Sequence, residues 1–182
     1  MRTMKILLTF GIALLISGCL QPSLHPLFTE KDLVFDPGLI GAWVGENEKE
    51  TWILQKAGDH TYDLFYEGER DSAKYEVHLV RLGKFEFLDI YPQVPEMCDD
   101  ALLIPAHTFS RIWRDGDILR TAMLDPDWLE DMIARKKVKI AHERLDDRIV
   151  LTASTKELQK FILKYAEDIN AFPDPAELHR QK

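Results

Sequence analysis

One thiol in the middle of the chain has the chemistry of a nucleophile. Cys98 is one of two cysteines among 182 residues, and His107 lies nearby in sequence. A reactive thiolate needs a cationic neighbour that stabilises its negative charge. Glu96, Asp99 and Asp100 surround Cys98 instead, and their charge disfavours the thiolate. The sequence therefore predicts a half-buried loop thiol and not a catalytic one.

Six histidines and several acidic pairs are the other residues that could act as metal ligands or acid–base groups. No two histidines show the short spacing of a zinc motif, although His78, His107 and His142 lie on predicted strands that folding could bring together. Asp125 suits a helix cap and Asp146-Asp147 a turn, and no phosphate-binding glycine loop or serine elbow is present. The sequence thus predicts no catalytic residue, no metal site, no cofactor and no enzyme.

Aromatic side chains on predicted strands are the most suggestive remaining group. An antiparallel barrel of about eight strands either fills its interior with such side chains or encloses one small ligand. The packed core is the favoured expectation, and a cavity for an apolar molecule is the alternative. The residues that could line this cavity are Trp43, Trp52, Tyr62, Tyr75, Phe87 and Trp113.

The elements that must position these aromatic residues follow from alternating apolar patterns. About eight short strands, separated by turn signals such as Gly58-Asp59 and Asp115-Gly116, are predicted between residues 39 and 152. A helical insert follows Asp125-Pro126, and a longer helix is predicted over 154–170 with Ser154 and Glu157 at capping-box spacing. The expected fold is mainly β with some α: an antiparallel barrel or strongly curved sheet with the C-terminal helix packed on it.

The N-terminus has the pattern of an export signal. Arg2 and Lys5 precede an apolar run over 6–16, which is too short to span a bilayer that requires about 20 residues. The last residue of this run and the three that follow it, Ile16-Ser17-Gly18-Cys19, resemble the lipobox of bacterial lipoproteins. This resemblance implies cleavage before Cys19, lipid on its thiol and acylation of the new amino terminus.

Domain boundaries follow from this interpretation. Residues 1–18 are the expected signal peptide, 19–38 a lipidated tether and docking segment, 39–170 one β-rich domain, and 171–182 a C-terminal tail. By resemblance to the sorting rule of enteric bacteria, Leu20 after the lipidated cysteine favours the outer membrane. The expected location is the cell envelope, with the chain held by its acyl groups.

A second resemblance concerns the first predicted strand. Gly41-Ala42-Trp43 is similar to the Gly-x-Trp signature of lipocalins and related calycins. In that family the tryptophan closes one end of the barrel, and a basic residue from a late strand packs over it. The sequence alone assigns no basic residue to that place. The body also resembles uncharacterised bacterial lipoproteins with the segments Leu24–Leu27 and Leu124–Leu129, a resemblance that implies no activity.

Net charge limits the partners. The formal charge is −8, and removal of residues 1–18 would take away two basic and no acidic residues. Such a surface argues against nucleic acid and against electrostatic binding of acidic lipid. The expected function is that of a membrane-anchored, non-enzymatic lipoprotein of the envelope, structural or binding a protein partner. The alternative is a lipocalin-like carrier of a small apolar ligand.

Overall fold

Strands dominate the computed structural model, which describes residues 20–46, 49–93, 105–146 and 148–182. Short 3₁₀ turns lie at Glu30–Asp32 and Pro37–Leu39. The helices are α1 (Pro126–Ala134) and α2 (Thr155–Tyr165). The strands are β1 (Leu33–Val34), β2 (Gly41–Gly45), β3 (Thr51–Lys56), β4 (Tyr62–Glu67), β5 (Ser72–Leu82), β6 (Phe85–Pro92), β7 (Thr108–Asp115), β8 (Ile118–Met123), β9 (His142–Leu145), β10 (Arg148–Leu151) and β11 (Ala176–Arg180).

Eight antiparallel strands form a closed barrel. The order around it is β5-β4-β3-β2-β11-β8-β7-β6, and β5 closes the circle because it also pairs with β6. Strand β1 extends the edge of β5, while β9 and β10 form a separate hairpin. The expectation of a mainly β, lipocalin-like barrel with a helical insert and a C-terminal helix is confirmed.

Alternation along the strands separates two apolar cores. On β6, Leu88 and Ile90 belong to a cluster inside the barrel, whereas Phe87 belongs to a second cluster on the outer wall. Both helices and the N-terminal segment cover the outer cluster, to which α2 contributes Leu158 and Ile162. The strands that contribute to the outer cluster, such as β6, are therefore apolar on both faces, as burial on both sides requires. No helix in the described ranges is long and apolar enough to cross a membrane.

An arginine from the last strand closes one end of the barrel. The guanidinium of Arg180 lies 4.2 Å from the centre of the Trp43 ring and donates to the carbonyls of Ile40, at 2.9 Å, and Gly38. A Cβ at Gly41 would lie 2.8 Å from Arg180 Nη1, and φ at Gly41 is 132°, so only glycine fits here without strain. Arg180 is thus the basic residue that the Gly-x-Trp resemblance called for.

Three further hydrogen bonds fix the turn at this closed end. Trp43 Nε1 donates to the carbonyl of Leu39 at 2.8 Å. The Tyr62 hydroxyl accepts from the Asp36 amide at 2.7 Å and donates to the Asp36 carbonyl at 3.1 Å. Burial raises the pKa of Tyr62 to about 12, so its hydroxyl stays protonated and able to donate.

The segment 20–29 packs on the domain along most of its length. The Leu24 amide donates to the carbonyl of Leu151, and Gln21 Nε2 donates to the carbonyl of Ile149, both at 2.9 Å. From the other side, Gln159 of α2 donates to the carbonyl of Leu27, which is fully buried. Gln21 and Leu27 are therefore buried against the domain and do not belong to a free tether.

The prediction that 171–182 is a tail is wrong for strand β11. Ala176–Arg180 pairs with β2 on one side and β8 on the other and completes the barrel wall. Two prolines precede it, and only Leu178 supplies a large apolar side chain to the interior. The local sequence is thus polar and short, and its strand conformation comes from long-range pairing.

Candidate functional site

The six side chains predicted to line a cavity divide between the two faces of the wall. Trp43, Trp52, Tyr62 and Tyr75 lie in the interior cluster. Phe87 and Trp113 lie in the outer cluster, so their prediction as cavity-lining residues is wrong. The mistake has a physical cause: the helices bury the outer wall, and strand alternation alone cannot tell an interior apolar face from a covered exterior one.

The closed half of the barrel is tightly packed. Side chains that line a cavity wide enough for water keep some accessible surface, and the interior residues here keep none or almost none. Trp43 and Tyr62 are completely buried. Their fully or nearly fully buried neighbours are Leu39, Leu54, Leu64, Val77, Leu79, Leu88, Leu119 and Leu178. For this half of the barrel, the expectation of a packed aromatic core is confirmed.

The opposite half is more open, and we call four of its inward-facing residues the cup: Trp52, Tyr66, Tyr75 and Met123. Trp52 stands between Trp43 and Tyr66 in register across β2, β3 and β4. Tyr66, Tyr75 and Met123 are only partly buried although they pack against the interior cluster. The cup is therefore where a small molecule could contact the barrel interior.

One polar atom of the cup lacks a hydrogen-bond partner. Trp52 is 6% exposed, and its Nε1 is buried without an acceptor among the described residues. A buried donor without an acceptor costs about 1 to 3 kcal/mol, and most native structures avoid it. By contrast, the buried hydroxyls of Ser110 and Thr121 bond to each other. An acceptor supplied by a bound molecule would satisfy the Trp52 indole.

The electrostatics of the cup exclude one type of ligand. Burial raises the pKa of Tyr66, and the nearby carboxylates of Glu50 and Asp71 raise it further. Burial and Asp71 also raise the pKa of Tyr75. Both phenols therefore stay neutral donors, and the acidic side chains beside them repel an anionic head group. A neutral or cationic molecule with an acceptor oxygen suits this environment.

A separate polar cluster lies outside the barrel, beneath the N-terminal segment. Asp89, fully buried, accepts from the Leu27 amide through Oδ2 and lies against His107 Nδ1 through Oδ1, both at 2.6 Å. His78 is the register partner of Asp89 and packs 4.4 Å from the Phe28 ring. Burial lowers the pKa of His78, which keeps this imidazole neutral. Because the carboxylate bonds the segment directly, this cluster has a structural role.

The predicted histidine grouping is met only in part. His78 and His107 both face Asp89, whereas His142 Nδ1 contacts the carbonyl of Ile140 in the insert. In the described residues these three histidines form no group close enough for one metal ion. Residues 1–18, Cys19 and Cys98 lie outside the described residues, so the signal peptide, the lipidation site and the loop thiol stay predictions.

Comparison with protein-family models, with curated proteins and with solved structures finds no match to this chain. Function is therefore inferred from the geometry described above and from the N-terminal pattern.

Proposed function

We propose that this protein is a lipid-anchored component of the bacterial cell envelope whose barrel carries a small, largely apolar ligand in the cup. The observation that carries the ligand proposal is the buried Trp52 Nε1, which has no acceptor among the described residues. The anchor is supported by Ile16-Ser17-Gly18-Cys19 after a basic and apolar leader.

The cup limits the size and the charge of this ligand. Because the closed half is filled by Trp43, Tyr62 and their neighbours, the molecule occupies only the open half. The aromatic faces of Trp52, Tyr66 and Tyr75 provide apolar contact area, and the indole N–H provides one oriented donor. We therefore expect a compact, uncharged or cationic compound with one acceptor oxygen.

Replacing Trp52 by Phe tests the ligand proposal, because it keeps an aromatic ring and removes the N–H. One lost hydrogen bond is worth about 1 kcal/mol, which corresponds to roughly a fivefold weaker affinity. Native mass spectrometry of protein purified from its own envelope should show a small-molecule adduct, and this adduct should decrease in Trp52→Phe.

Trp128→Phe is the matched control, because Trp128 lies on α1 and packs against the outer cluster. It should retain the adduct at the wild-type level. Wild-type protein without an adduct, or equal adducts in Trp52→Phe and the wild type, would contradict a ligand held by Trp52.

Replacing Cys19 by Ala tests the anchor. Each buried methylene of an acyl chain contributes about 0.8 kcal/mol, and two or more chains hold a protein firmly at a bilayer. We expect the Cys19→Ala protein to leave the membrane fraction, and the N-terminal peptide of the wild type to carry the added acyl mass. A variant that stays with the membranes, together with an unmodified wild-type peptide, would refute the lipoprotein assignment.

A further inference from the structure

Two carboxylates and one imidazole meet on the outer face of the barrel wall. One ligand atom each from Glu46, Glu177 and His179 can be chosen so that all three lie within 4.8 Å of one another. Glu46 and His179 are exposed, and Glu177 is partly buried. This spacing suits one cation at the centre, bonded to an oxygen or nitrogen atom of each residue.

The barrel wall explains why these side chains meet. Glu177 and His179 are alternate residues of β11, and Leu178 between them points into the interior, so both of them point outward. Gly45 of β2 is the register partner of Leu178, and Glu46 follows it directly. Two of the three ligands therefore sit on a strand that is paired on both sides, which restricts their movement.

The charge of the group favours a cation. Glu46 and Glu177 place two negative charges close together, and such proximity is unfavourable without a counterion. Arg120 Nε lies 2.6 Å from Glu177 Oε1 and neutralises part of this charge, leaving the second oxygen of that carboxylate for another partner. The nearby Arg180 does not fill this role, because its guanidinium is bonded to the carbonyls of Gly38 and Ile40.

An open pocket adjoins the group. Its volume is about 890 Å³, and its lining includes Glu46 and His179 together with Thr51, Arg180 and Gln181. A metal ion held by three protein ligands at such a pocket keeps at least one position open to water or to an added ligand. The arrangement thus differs from a closed structural metal site.

We propose that Glu46, Glu177 and His179 form a divalent metal site that prefers Zn²⁺. An imidazole nitrogen with carboxylate oxygens suits Zn²⁺, whereas Ca²⁺ takes six to eight oxygens and Mg²⁺ demands an octahedral oxygen shell. The fourth position faces the pocket. The proposal uses neither Trp52 nor Cys19, so a metal-binding measurement tests it separately from the ligand and the anchor.

Zinc titration of the full chain in detergent tests the site. Isothermal titration calorimetry should show one saturable Zn²⁺ site per chain, and His179→Ala or Glu46→Ala should each weaken its affinity about 10-fold or more. Both residues are exposed, so these variants should keep the wild-type circular dichroism spectrum. Co²⁺ in place of Zn²⁺ should give an absorption band that His179→Ala removes.

His60→Ala and Cys98→Ser are the controls. His60 is exposed in the turn between β3 and β4, on the closed end of the barrel, and both variants should bind Zn²⁺ as the wild type does. The proposal is overturned if the wild type shows no saturable site, if His179→Ala and Glu46→Ala bind with unchanged affinity, or if His60→Ala loses as much affinity as His179→Ala.

Discussion

Arg180→Ala should lower the free energy of unfolding by about 3 kcal/mol. The substitution removes two charge-assisted hydrogen bonds to the carbonyls of Gly38 and Ile40 and the cation–π contact with Trp43. It also leaves a void beside Gly41, because Arg180 supplies the only atoms within 4 Å of a Cβ built at that glycine. Urea denaturation followed by tryptophan fluorescence and by circular dichroism should show the lower transition midpoint.

Arg114→Ala is the matched control, because Arg114 lies at the same closed end of the barrel and makes a weaker, partly exposed ion pair with Asp36. Its side chain is 37% exposed and lies 3.3 Å from Asp36 Oδ2, so its loss should cost less than about 1 kcal/mol. Arg180→Lys should recover only part of the loss, since an ammonium cannot bond two carbonyls and cover the indole at once. Equal urea midpoints for Arg180→Ala and Arg114→Ala would show that Arg180 does not stabilise the closed end of the barrel.

Asp89→Ala should cost about 3 to 5 kcal/mol. The buried carboxylate holds the Leu27 amide and His107 Nδ1, and its removal leaves a buried amide and a half-buried imidazole without this acceptor. Leu27 lies in the segment that connects the N-terminus to the barrel wall, so this segment should detach before the barrel unfolds. Limited proteolysis should then cut the variant between residues 20 and 36 while the wild type resists cleavage.

Asp63→Ala provides the comparison for Asp89. The Asp63 side chain is 25% exposed and bonds Lys74 at 2.9 Å on the barrel surface, so its removal should cost about 1 kcal/mol or less. Proteolysis of the N-terminal segment should stay at the wild-type level in this variant. If Asp89→Ala is no less stable and no more easily cleaved than Asp63→Ala, the carboxylate does not hold the segment.

Local sequence patterns predicted most of the barrel because its hairpins are formed from neighbouring strands. The predicted turn at Gly58-Asp59 lies between β3 and β4, and Asp115-Gly116 lies at the turn between β7 and β8. The Ser154 and Glu157 capping box is present at the start of α2, where the Ser154 amide donates to Glu157 Oε2 at 3.0 Å. Each of these features depends on contacts within a few residues.

The features that the sequence did not predict depend on contacts between distant segments. Arg180 covers Trp43 only because β11 inserts between β2 and β8, and the same insertion brings Glu177 and His179 beside Glu46. No short-range spacing could indicate this group. The missing acceptor of Trp52 likewise depends on what surrounds the indole in three dimensions. The strand pattern placed Trp52 on a predicted strand, but it could not show that its Nε1 lacks a hydrogen-bond acceptor.

The burial of Gln21 bears on how the protein would stand on a bilayer. Gln21 is 3% exposed and hydrogen-bonded to Ile149, so the chain is already packed on the domain two residues after Cys19. Two residues of extended chain reach at most about 7 Å. In a chain acylated at Cys19 as proposed, the barrel would lie within a few ångströms of the lipid head groups and would have little freedom to rotate. The direction in which the cup opens relative to the membrane would then be fixed by the fold itself.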